Sequence, residues 1–459
     1  MDTFDSIRNR IREVYRAYNR PFIVGYSGGK DSTLTLQLTW EALQTLEPDQ
    51  RKHPVFVMAS NTRVENPYLL RILERSLDQI NKAAKNQSMP IEAHNVAPPA
   101  ERSFWVNLIG RGYPAPTQRF RWCTERLKIE PITRFVKQVA DDSGEVIMVL
   151  GARSSESSTR AGVLASKARD LMGLSRHETL PGAYVFTPIE ELKDDEVWAY
   201  ILNHENPWGM DVNELSRVYK TASSETREIF SKDAPPSGST RFGCWVCTLV
   251  QDDLSMRQVI QNDPQWKWMS PLLNFRSMIY ETTDPEKKHI YRGYKGRDGK
   301  VRKLRSGEGY ARRTLKLEWK REFLKQLLTA QKAIRLEGPD ADMELISLDE
   351  LLEIRRIWRL EDHDWQDSVS MIYREVTGKE LPAGLEDGIR FNGMDFRLLS
   401  EICNKHDLPV EMVSRLVDAE QQMEAMNRRT NIMRTIDKIL FEDWRNDEQL
   451  ELDLRSQEK

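Results

Sequence analysis

A glycine loop between a strand and a helix is the clearest candidate for chemistry in this 459-residue chain. The loop, Ser27-Gly28-Gly29-Lys30-Asp31-Ser32, follows the apolar run 21–26 and precedes the helix-like stretch 33–46. The two glycines let backbone N–H groups approach an anion, and the helix N-terminus adds about half a positive charge. Lys30 offers a mobile charge, and Ser27 and Ser32 offer hydroxyl groups to phosphate oxygens. The sequence therefore favours a phosphate-binding loop over a chance Gly-Gly turn, although the glycine spacing is not that of a Walker A loop.

Polar residues also follow two other predicted strands, the apolar runs 55–59 and 146–150. Because the carboxyl ends of parallel strands meet at one edge of a sheet, these residues are expected to lie beside the loop. Two arginines among them would clamp an anion, and a glutamate would position one arginine. Each charge taken alone favours a solvated loop, whereas the repetition of the pattern at three strand ends favours a binding site. The residues concerned are Asn61, Gly151, Arg153, Glu156 and Arg160.

The elements that must position these residues alternate between apolar runs and helical stretches. Short runs at 21–26, 55–59 and 146–151 are typical of buried parallel strands, and the intervening segments have helical periodicity. This alternation predicts an α/β fold with a doubly wound, mostly parallel sheet. We expect three regions: an α/β domain over 1–235, a Cys-x-x-Cys and basic segment over 236–335, and a helical C-terminal region over 336–459.

Composition bounds the class of protein. Charged residues make up 30% of the chain and the mean hydropathy is −0.61. No run of 18 apolar residues is present, and the first residues lack a basic start and an apolar stretch. We therefore expect a cytoplasmic protein without membrane contact. The net charge of −3 carries no indication of nucleic-acid binding, so any basic surface must be local.

The four cysteines, at 123, 244, 247 and 403, favour metal or redox chemistry over structural disulfides. Cys123 with the pair Cys244 and Cys247 would hold an iron–sulfur cluster, a structural zinc or a redox disulfide. A 4Fe–4S cluster usually takes four cysteines, so three leave one iron differently ligated or open. Cys403 is a candidate for the fourth ligand, but its pattern with Leu398, Leu399 and Ile402 favours a buried helical face on which it is a small core residue.

One window of the chain is strongly basic. Residues 292–335 contain 15 Lys and Arg against 4 acidic residues, with four aromatic residues interleaved. Five glycines in its first half predict a loop or a hairpin there. The window would bind the DNA backbone, or it is a solvated charged surface.

Taken together, these residues resemble the phosphoadenylyl-sulfate reductase superfamily, and within it the DndC-type or SspD-like sulfurtransferases of DNA phosphorothioation. The resemblance extends from about residue 20 to 260. It rests on an ordered series of motifs, which are Tyr-Ser-Gly-Gly-Lys-Asp-Ser-Thr (26–33), Asn-Thr-Arg-Val-Glu-Asn-Pro (61–67), Arg-Trp-Cys-Thr-Glu-Arg-Leu-Lys-Ile-Glu-Pro (121–131), Gly-Ala-Arg-Ser-Ser-Glu-Ser-Ser-Thr-Arg (151–160), the stretch 188–198, and Phe242 to Thr248.

The resemblance implies an ATP pyrophosphatase that adenylates a DNA backbone phosphate, releases pyrophosphate and replaces a non-bridging oxygen by sulfur. It implies ATP, Mg²⁺ and an iron–sulfur cluster as cofactors, and a cysteine desulfurase and other Dnd-type or Ssp-type proteins as partners. The residues expected to act on ATP form two sets. The catalytic set is Lys30, Asp31, Arg153 and Arg160, and the nucleotide-binding set is Ser27, Gly28, Gly29, Lys30, Asp31, Ser32, Asn61, Gly151 and Glu156. The cluster ligands would be Cys123, Cys244 and Cys247.

The chain departs from this pattern in two ways. Many relatives that bind a cluster carry a further cysteine, whereas positions 122 and 253 are Trp and Asp here. The stretch 452–459 lacks the cysteine on which sulfate reduction depends, which disfavours a phosphoadenylyl-sulfate reductase. A tRNA thiolase of the same fold and a non-catalytic subunit that senses ATP and DNA remain the other interpretations.

Overall fold

A computed structural model describes residues 2–156, 158–222, 243–304, 309–382, 391–424 and 432–457. The chain divides into two compact units. The first comprises Met1–Pro98, Trp122–Trp245 and Asp253–Lys267, and the second comprises Pro99–Arg121, Val246–Asp252 and Trp268–Lys459. The predicted boundary at 235 lies outside the described residues, and the one at 335 falls within a helix of the second unit.

The first unit is built on one sheet. Its strands among the described residues are β1 (Phe22–Gly25), β2 (Val55–Ser60), β3 (Ile91–Val96), β4 (Val146–Val149), β5 (Ser175–Arg176) and β6 (Ala183–Phe186). They lie in the order β3-β2-β1-β4-β6-β5, and every neighbouring pair is parallel except β5 with β6. The predicted α/β fold with a mostly parallel, doubly wound sheet is confirmed.

Helices cover both faces of this sheet, which explains why its central strands are apolar throughout. Alternate residues serve the two faces, so Phe22 and Val24 pack in one core cluster and Ile23 packs in the other. The helices are α1 (Thr3–Ala17), α2 (Lys30–Gln44), α3 (Pro67–Asn86), α4 (Trp122–Thr124), α5 (Glu130–Ser143), α6 (Ser158–Ala165), α7 (Asp194–Asn203), α8 (Val212–Ala222) and α9 (Leu254–Asn262).

The second unit is mainly helical. Its helices are α10 (Ser270–Glu281), α11 (Lys288–Tyr291), α12 (Leu317–Glu337), α13 (Leu348–Glu361), α14 (Ser368–Thr377), α15 (Gly393–Lys405), α16 (Val410–Glu424), α17 (Ile432–Leu440) and α18 (Asp447–Gln457). Between α11 and α12, antiparallel bridges join Arg292 to Leu315 and Lys303 to Tyr310. The first half of the basic window was predicted to be a loop or a hairpin, and its described residues form a bridged hairpin.

Two buried tryptophans join the segment before residue 121 to the helices of the second unit. The indole of Trp105 donates to the backbone oxygen of Leu345 at 2.6 Å, and the indole of Trp358 donates to that of Ile109 at 3.0 Å. These bonds satisfy polar groups inside an apolar core, where an unmade hydrogen bond is costly. None of the described helices is long and apolar enough to span a membrane.

The predicted burial of α15 is partly wrong. Cys403 is buried, as expected, but Leu398 and Ile402 are exposed. Residues 399 and 403 are four apart and share one helical face, whereas 398 and 402 form the neighbouring stripe, about 100° around the helix. The packed face of α15 is therefore narrower than the apolar pattern suggests.

Candidate nucleotide site

The predicted loop lies where the strand order of the sheet reverses. β1 has β2 on one side and β4 on the other, and the chain continues outward from both neighbours to β3 and β6. Residues 27–32 follow β1, and residues 151–153 follow β4, so both segments leave the sheet at its carboxyl edge. A reversal of this kind creates the crevice in which open α/β sheets bind ligands.

Two serine hydroxyl groups brace the loop, and one glycine shapes it. Gly28 has φ +71°, a conformation that side-chain-bearing residues rarely adopt. The hydroxyl of Ser32 donates to the backbone oxygen of Gly29 at 2.9 Å, and it lies 3.1 Å from the hydroxyl of Ser27. Helix α2 then begins at Lys30 with Gly29 as its N-cap. The loop is thus held in shape by its own side chains at a helix N-terminus, as an anion site requires.

Four charged side chains form a network beside this loop. The Nε atom of Arg153 donates to Asp31 at 2.6 Å, and its Nη2 atom donates to Asp194 at 2.7 Å. The Nζ atom of Lys30 lies 3.1 Å from the same Asp194 oxygen and 3.4 Å from Asp31. Two carboxylates therefore alternate with two cations across the ends of β1 and β4.

Arg153 is the buried centre of the network, with 2% of its surface exposed. Its Nη1 atom also donates to the hydroxyl of Ser155 at 2.9 Å and to the backbone oxygen of Leu192 at 3.3 Å. Burial lowers the pKa of this guanidinium, but Asp31 and Asp194 outweigh burial and leave the pKa raised. The structure gives Arg153 a positioning role between the loop and α7, and its predicted contact with a bound anion stays a prediction.

The remaining predicted nucleotide-binding residues have mainly structural contacts. A Cβ atom on Gly151 would lie 2.8 Å from the backbone oxygen of Asp31, so this glycine allows the strand end to approach α2. The side-chain oxygen of Asn61 accepts from the N–H of Arg63 at 2.8 Å, and Arg63 has φ +62°. The side chains of Glu156 and Arg160 lie outside the described residues.

The three predicted cluster ligands are distributed over both units. Cys123 lies in α4 and Cys244 pairs with Glu65 through a β-bridge in the first unit, whereas Cys247 belongs to the second unit. The Sγ atom of Cys244 lies 3.2 Å from the Thr62 hydroxyl. Among the described residues, no three His, Cys, Asp or Glu side chains are grouped to hold a metal ion. The iron–sulfur cluster stays a prediction.

Asp194 is the residue of this network that sequence reasoning missed. It begins α7, whose first turn also contains Asp195 and Glu196. Acidic residues at a helix start ordinarily complement the helix dipole. The placement of α7 after β6, beside β4, brings Asp194 to the loop, and the sequence does not reveal that placement. The one available signal was the motif 188–198, which the family resemblance already included.

In the second unit, the predicted basic window contacts acidic side chains at many points. Arg312 donates to Asp447 at 2.9 Å and to Glu451 at 2.6 Å, and its guanidinium lies 3.7 Å from the ring centroid of Tyr294. Further pairs between the window and distant acidic residues are Arg297 with Glu361, Lys320 with Asp362, Arg321 with Asp364, and Lys325 with Glu375. Much of the positive charge of the window is therefore neutralised within the unit.

Comparison with known proteins gives matches in two separate parts of the chain. Residues 21–250 match the phosphoadenosine phosphosulfate reductase domain, and residues 394–440 match a small protein found in certain Dnd DNA modification systems. Two uncharacterized proteins of Methanocaldococcus jannaschii, MJ0066 and MJ0973, are similar at 24% and 23% identity. Their matches cover 58% and 53% of this chain but 44% and 45% of the relatives. The chain thus spans less than half the length of these curated relatives.

Two solved structures are also similar over part of the chain. One is the phosphoadenylyl-sulfate reductase of Candida auris in a phosphate complex, with 14% identity, a TM-score of 0.29 and coverage of 46% of this chain and 84% of that one. The other is the U34-tRNA thiolase NcsA of Methanococcus maripaludis with its 4Fe–4S cluster, with 12% identity, a TM-score of 0.28 and coverage of 61% and 78%. The family match, by contrast, spans half of the chain and includes the loop, both strand ends and Asp194. This chain therefore belongs to the phosphoadenosine phosphosulfate reductase domain family.

Proposed function

We propose that this protein is an ATP-dependent sulfurtransferase of DNA phosphorothioate modification, of the DndC type. One observation carries the proposal: a single chain contains a phosphoadenosine phosphosulfate reductase domain at 21–250 and a Dnd-associated segment at 394–440. The domain supports the use of an adenine nucleotide, and the segment supports DNA as the substrate. A cysteine desulfurase would supply the sulfur, and other Dnd-type or Ssp-type proteins would act with it.

ATP would bind with its β and γ phosphates in the loop 27–32. The loop N–H groups and the start of α2 favour an anion there. Lys30 now shares its charge with Asp31 and Asp194, so a phosphate would replace one carboxylate as its partner. Arg153 would hold Asp31 and Asp194 in place during this exchange. Mg²⁺ would accompany the nucleotide, because it binds phosphate oxygens together with one or two carboxylates.

The proposed reaction has two displacements. A non-bridging oxygen of a DNA phosphate attacks the α-phosphorus of ATP, the bond to the β-phosphate oxygen breaks, and pyrophosphate leaves. Hydrosulfide then attacks the adenylated DNA phosphorus, its proton passes to solvent, and AMP leaves with the original DNA oxygen. Adenylation is needed because an oxide ion is a poor leaving group whereas AMP is a good one. Lys30 would stabilise charge on the departing pyrophosphate, the electrostatic contribution that dominates such transfers.

The test combines purified protein, ATP, Mg²⁺, sulfide and DNA, with pyrophosphate release and phosphorothioate linkages measured by mass spectrometry after nuclease digestion. We expect both products with the native chain, and neither with Lys30→Ala. Lys325→Ala, which removes an exposed lysine paired with Glu375, is the matched control and should behave as the native chain.

Three results would contradict the proposal. Sulfur in tRNA with unmodified DNA would assign the protein as a tRNA thiolase. Sulfite formed from phosphoadenylyl sulfate would assign it as a reductase. Binding of ATP and DNA without pyrophosphate, when iron and the partner proteins are supplied, would assign it as a sensing subunit.

A further inference from the structure

A cavity of about 500 Å³ lies within the second unit, apart from the nucleotide loop. The hairpin before α12, the first turn of α12 and the C-terminal turn of α13 form one part of its wall. The segment related to the Dnd small protein forms another part, through Phe396, Val410, Glu411, Ser414 and Arg415. This volume is within the range of small-ligand sites and would accommodate about one nucleotide.

The polar wall of the cavity is predominantly cationic. Seven lysines and arginines line it, against four acidic residues. Four of these cations have close carboxylate partners: Lys320 pairs with Asp362, and the separations are 2.7 Å for Arg297 and Glu361, 2.8 Å for Arg321 and Asp364, and 2.5 Å for Arg415 and Glu442. These pairs lie at full hydrogen-bond distance and hold the wall together.

Two lysines of the wall have looser partners. The Nζ atom of Lys295 lies 3.5 Å from Glu411, and that of Lys316 lies 3.7 Å from Asp447. These separations exceed those of a good charge-assisted hydrogen bond, and Lys295 also lies 4.0 Å from the centroid of the Trp444 ring, so an incoming anion competes against individually weak interactions. Both side chains also retain substantial exposure, 25% and 31%. Lys295 and Lys316 are therefore the positions at which an added phosphate gains most.

Two arginines of the wall repel each other. Burial lowers the pKa of the Arg111 guanidinium, and the charge of Arg297 lowers it further, while Glu353 and Glu361 partly compensate. The Nη2 atom of Arg111 lies 3.6 Å from the carboxylate of Glu353. A bound anion beside Arg111 would oppose both of these effects and favour its charged form.

The rest of the wall is apolar and aromatic. Leu315, Ile357 and Trp365 line it but are almost fully buried, so the accessible surface comes from the half-buried ring of Phe396 and the amide of Gln366, which can donate and accept hydrogen bonds. Trp365 is held rigidly, because its ring stacks on Phe391 at 4.6 Å between centroids and its indole donates to Asp418 at 2.9 Å. A ligand with a phosphate at one end and a planar ring at the other matches both kinds of surface.

We propose that this cavity binds a nucleoside phosphate, with the phosphate at Lys295 and Lys316 and the base against Phe396, whose ring meets the edge of the buried Trp365. The ligand is either one nucleotide of a single strand or a free nucleotide, since both present the same chemistry. A DNA strand as the natural source rests on the proposed function. The Dnd-related segment would then contribute directly to nucleic-acid binding through its part of the cavity wall.

The test measures binding of a short fluorescein-labelled oligothymidylate to the full chain by anisotropy, with thymidine 5′-monophosphate as the competing free nucleotide. Lys295→Ala/Lys316→Ala should weaken oligothymidylate binding at least about tenfold and lower the salt slope by about 1 to 2. Lys325→Ala/Lys332→Ala removes the same charge from α12 outside the cavity wall and should leave affinity within about twofold of the native chain. Lys295→Arg/Lys316→Arg keeps the charges and should retain binding. Circular dichroism establishes that each variant is folded.

The outcomes separate the two sources of the ligand. If the double alanine variant loses oligothymidylate and monophosphate binding equally, the cavity takes a free nucleotide. If it loses oligothymidylate binding alone, the cavity takes a nucleotide within a strand. Unchanged affinity of a folded variant for both probes would overturn the proposal. The assay contains neither ATP nor sulfide, so a protein that fails to transfer sulfur can still support or refute this site.

Discussion

Replacing Arg153 by methionine tests whether the charged network positions the nucleotide loop. Methionine keeps much of the side-chain length and apolar bulk but removes the guanidinium. The change leaves Asp31, Asp194, the Ser155 hydroxyl and the Leu192 carbonyl without the donors at 2.6–3.3 Å. Since breaking a buried ion pair from one side costs about 3–5 kcal/mol, the loss of stability should be large.

The exposure of the two carboxylates sets the size of the effect. Asp31 is 19% exposed and Asp194 is 37% exposed at the side chain, so water partly replaces the lost donors. We therefore expect the lower end of that range, about 3 kcal/mol. Each factor of ten in an equilibrium corresponds to about 1.4 kcal/mol, so local unfolding around the network should become roughly a hundredfold more frequent.

Amide hydrogen exchange followed by mass spectrometry measures this local unfolding in separate peptides, so the first unit can be monitored by itself. Peptides that contain β1 and β4 should exchange about a hundredfold faster in Arg153→Met, because the network joins the ends of both strands. Arg169→Met is the matched control: Arg169 donates to Glu190 at 2.6 Å but is 34% exposed. A pair this accessible contributes about 1 kcal/mol or less.

The reasoning would be refuted if Arg153→Met accelerated exchange in these peptides no more than Arg169→Met does. Such a result would mean that the carboxylates are satisfied by water or by Lys30 alone. A normal exchange rate combined with lost ATP affinity would instead return Arg153 to the role of direct phosphate ligand.

Three further predictions concern other residues of the first unit. Gly28→Ala forces alanine to φ +71° beside Leu73, so it should lower the stability by about 1–2 kcal/mol and weaken ATP binding in titration calorimetry. Gly144→Ala is the control, at φ +81° with nothing within 4 Å, and should lower the stability without changing ATP affinity. Burial, and then the hydrogen bond to Glu214, raises the pKa of Tyr68 to about 12. Because the folded state holds this proton at a pH where the unfolded state loses it, the stability should fall between pH 10 and 12. Tyr68→Phe should flatten that fall in urea titrations at alkaline pH, and an unchanged profile would contradict the assignment. If Cys244 is a cluster ligand, anaerobically purified protein should contain iron and sulfide that Cys244→Ser loses, whereas equal iron counts in both would remove this cysteine from the ligand set.

The fold could be predicted from local patterns because its central strands are buried on both faces. The runs at 22–25, 55–59 and 146–149 are apolar throughout, and each is followed by polar residues. The strand β3 (Ile91–Val96) was not predicted, because it lies at the edge of the sheet and includes Glu92, His94 and Asn95. Edge strands often carry charged side chains, which discourage pairing with another chain and weaken the hydrophobic pattern.

The candidate site was predictable only in part, for a related reason. Ser27, Gly28 and Lys30 act through their neighbours in the chain, so their spacing identifies the loop. Asp194 acts across more than 160 residues, because β4 and β6 pair and bring α7 to the same edge. No local pattern distinguishes this aspartate from Asp195, which shares the first turn of α7.

The basic window shows how composition misleads about binding. Suppose that all 15 of its cations contacted duplex phosphates. The logarithm of affinity plotted against the logarithm of salt concentration would then fall with a slope of about 13. Close partners such as Glu361 and Asp364 already occupy several of these cations, and exchanging a carboxylate for a phosphate at 2.7–2.8 Å gains little. Only loosely paired cations, such as Lys295 and Lys316, yield a net gain. We therefore expect a slope of about 2 to 3 for duplex DNA, and a slope near 10 would show that the internal pairs open on binding.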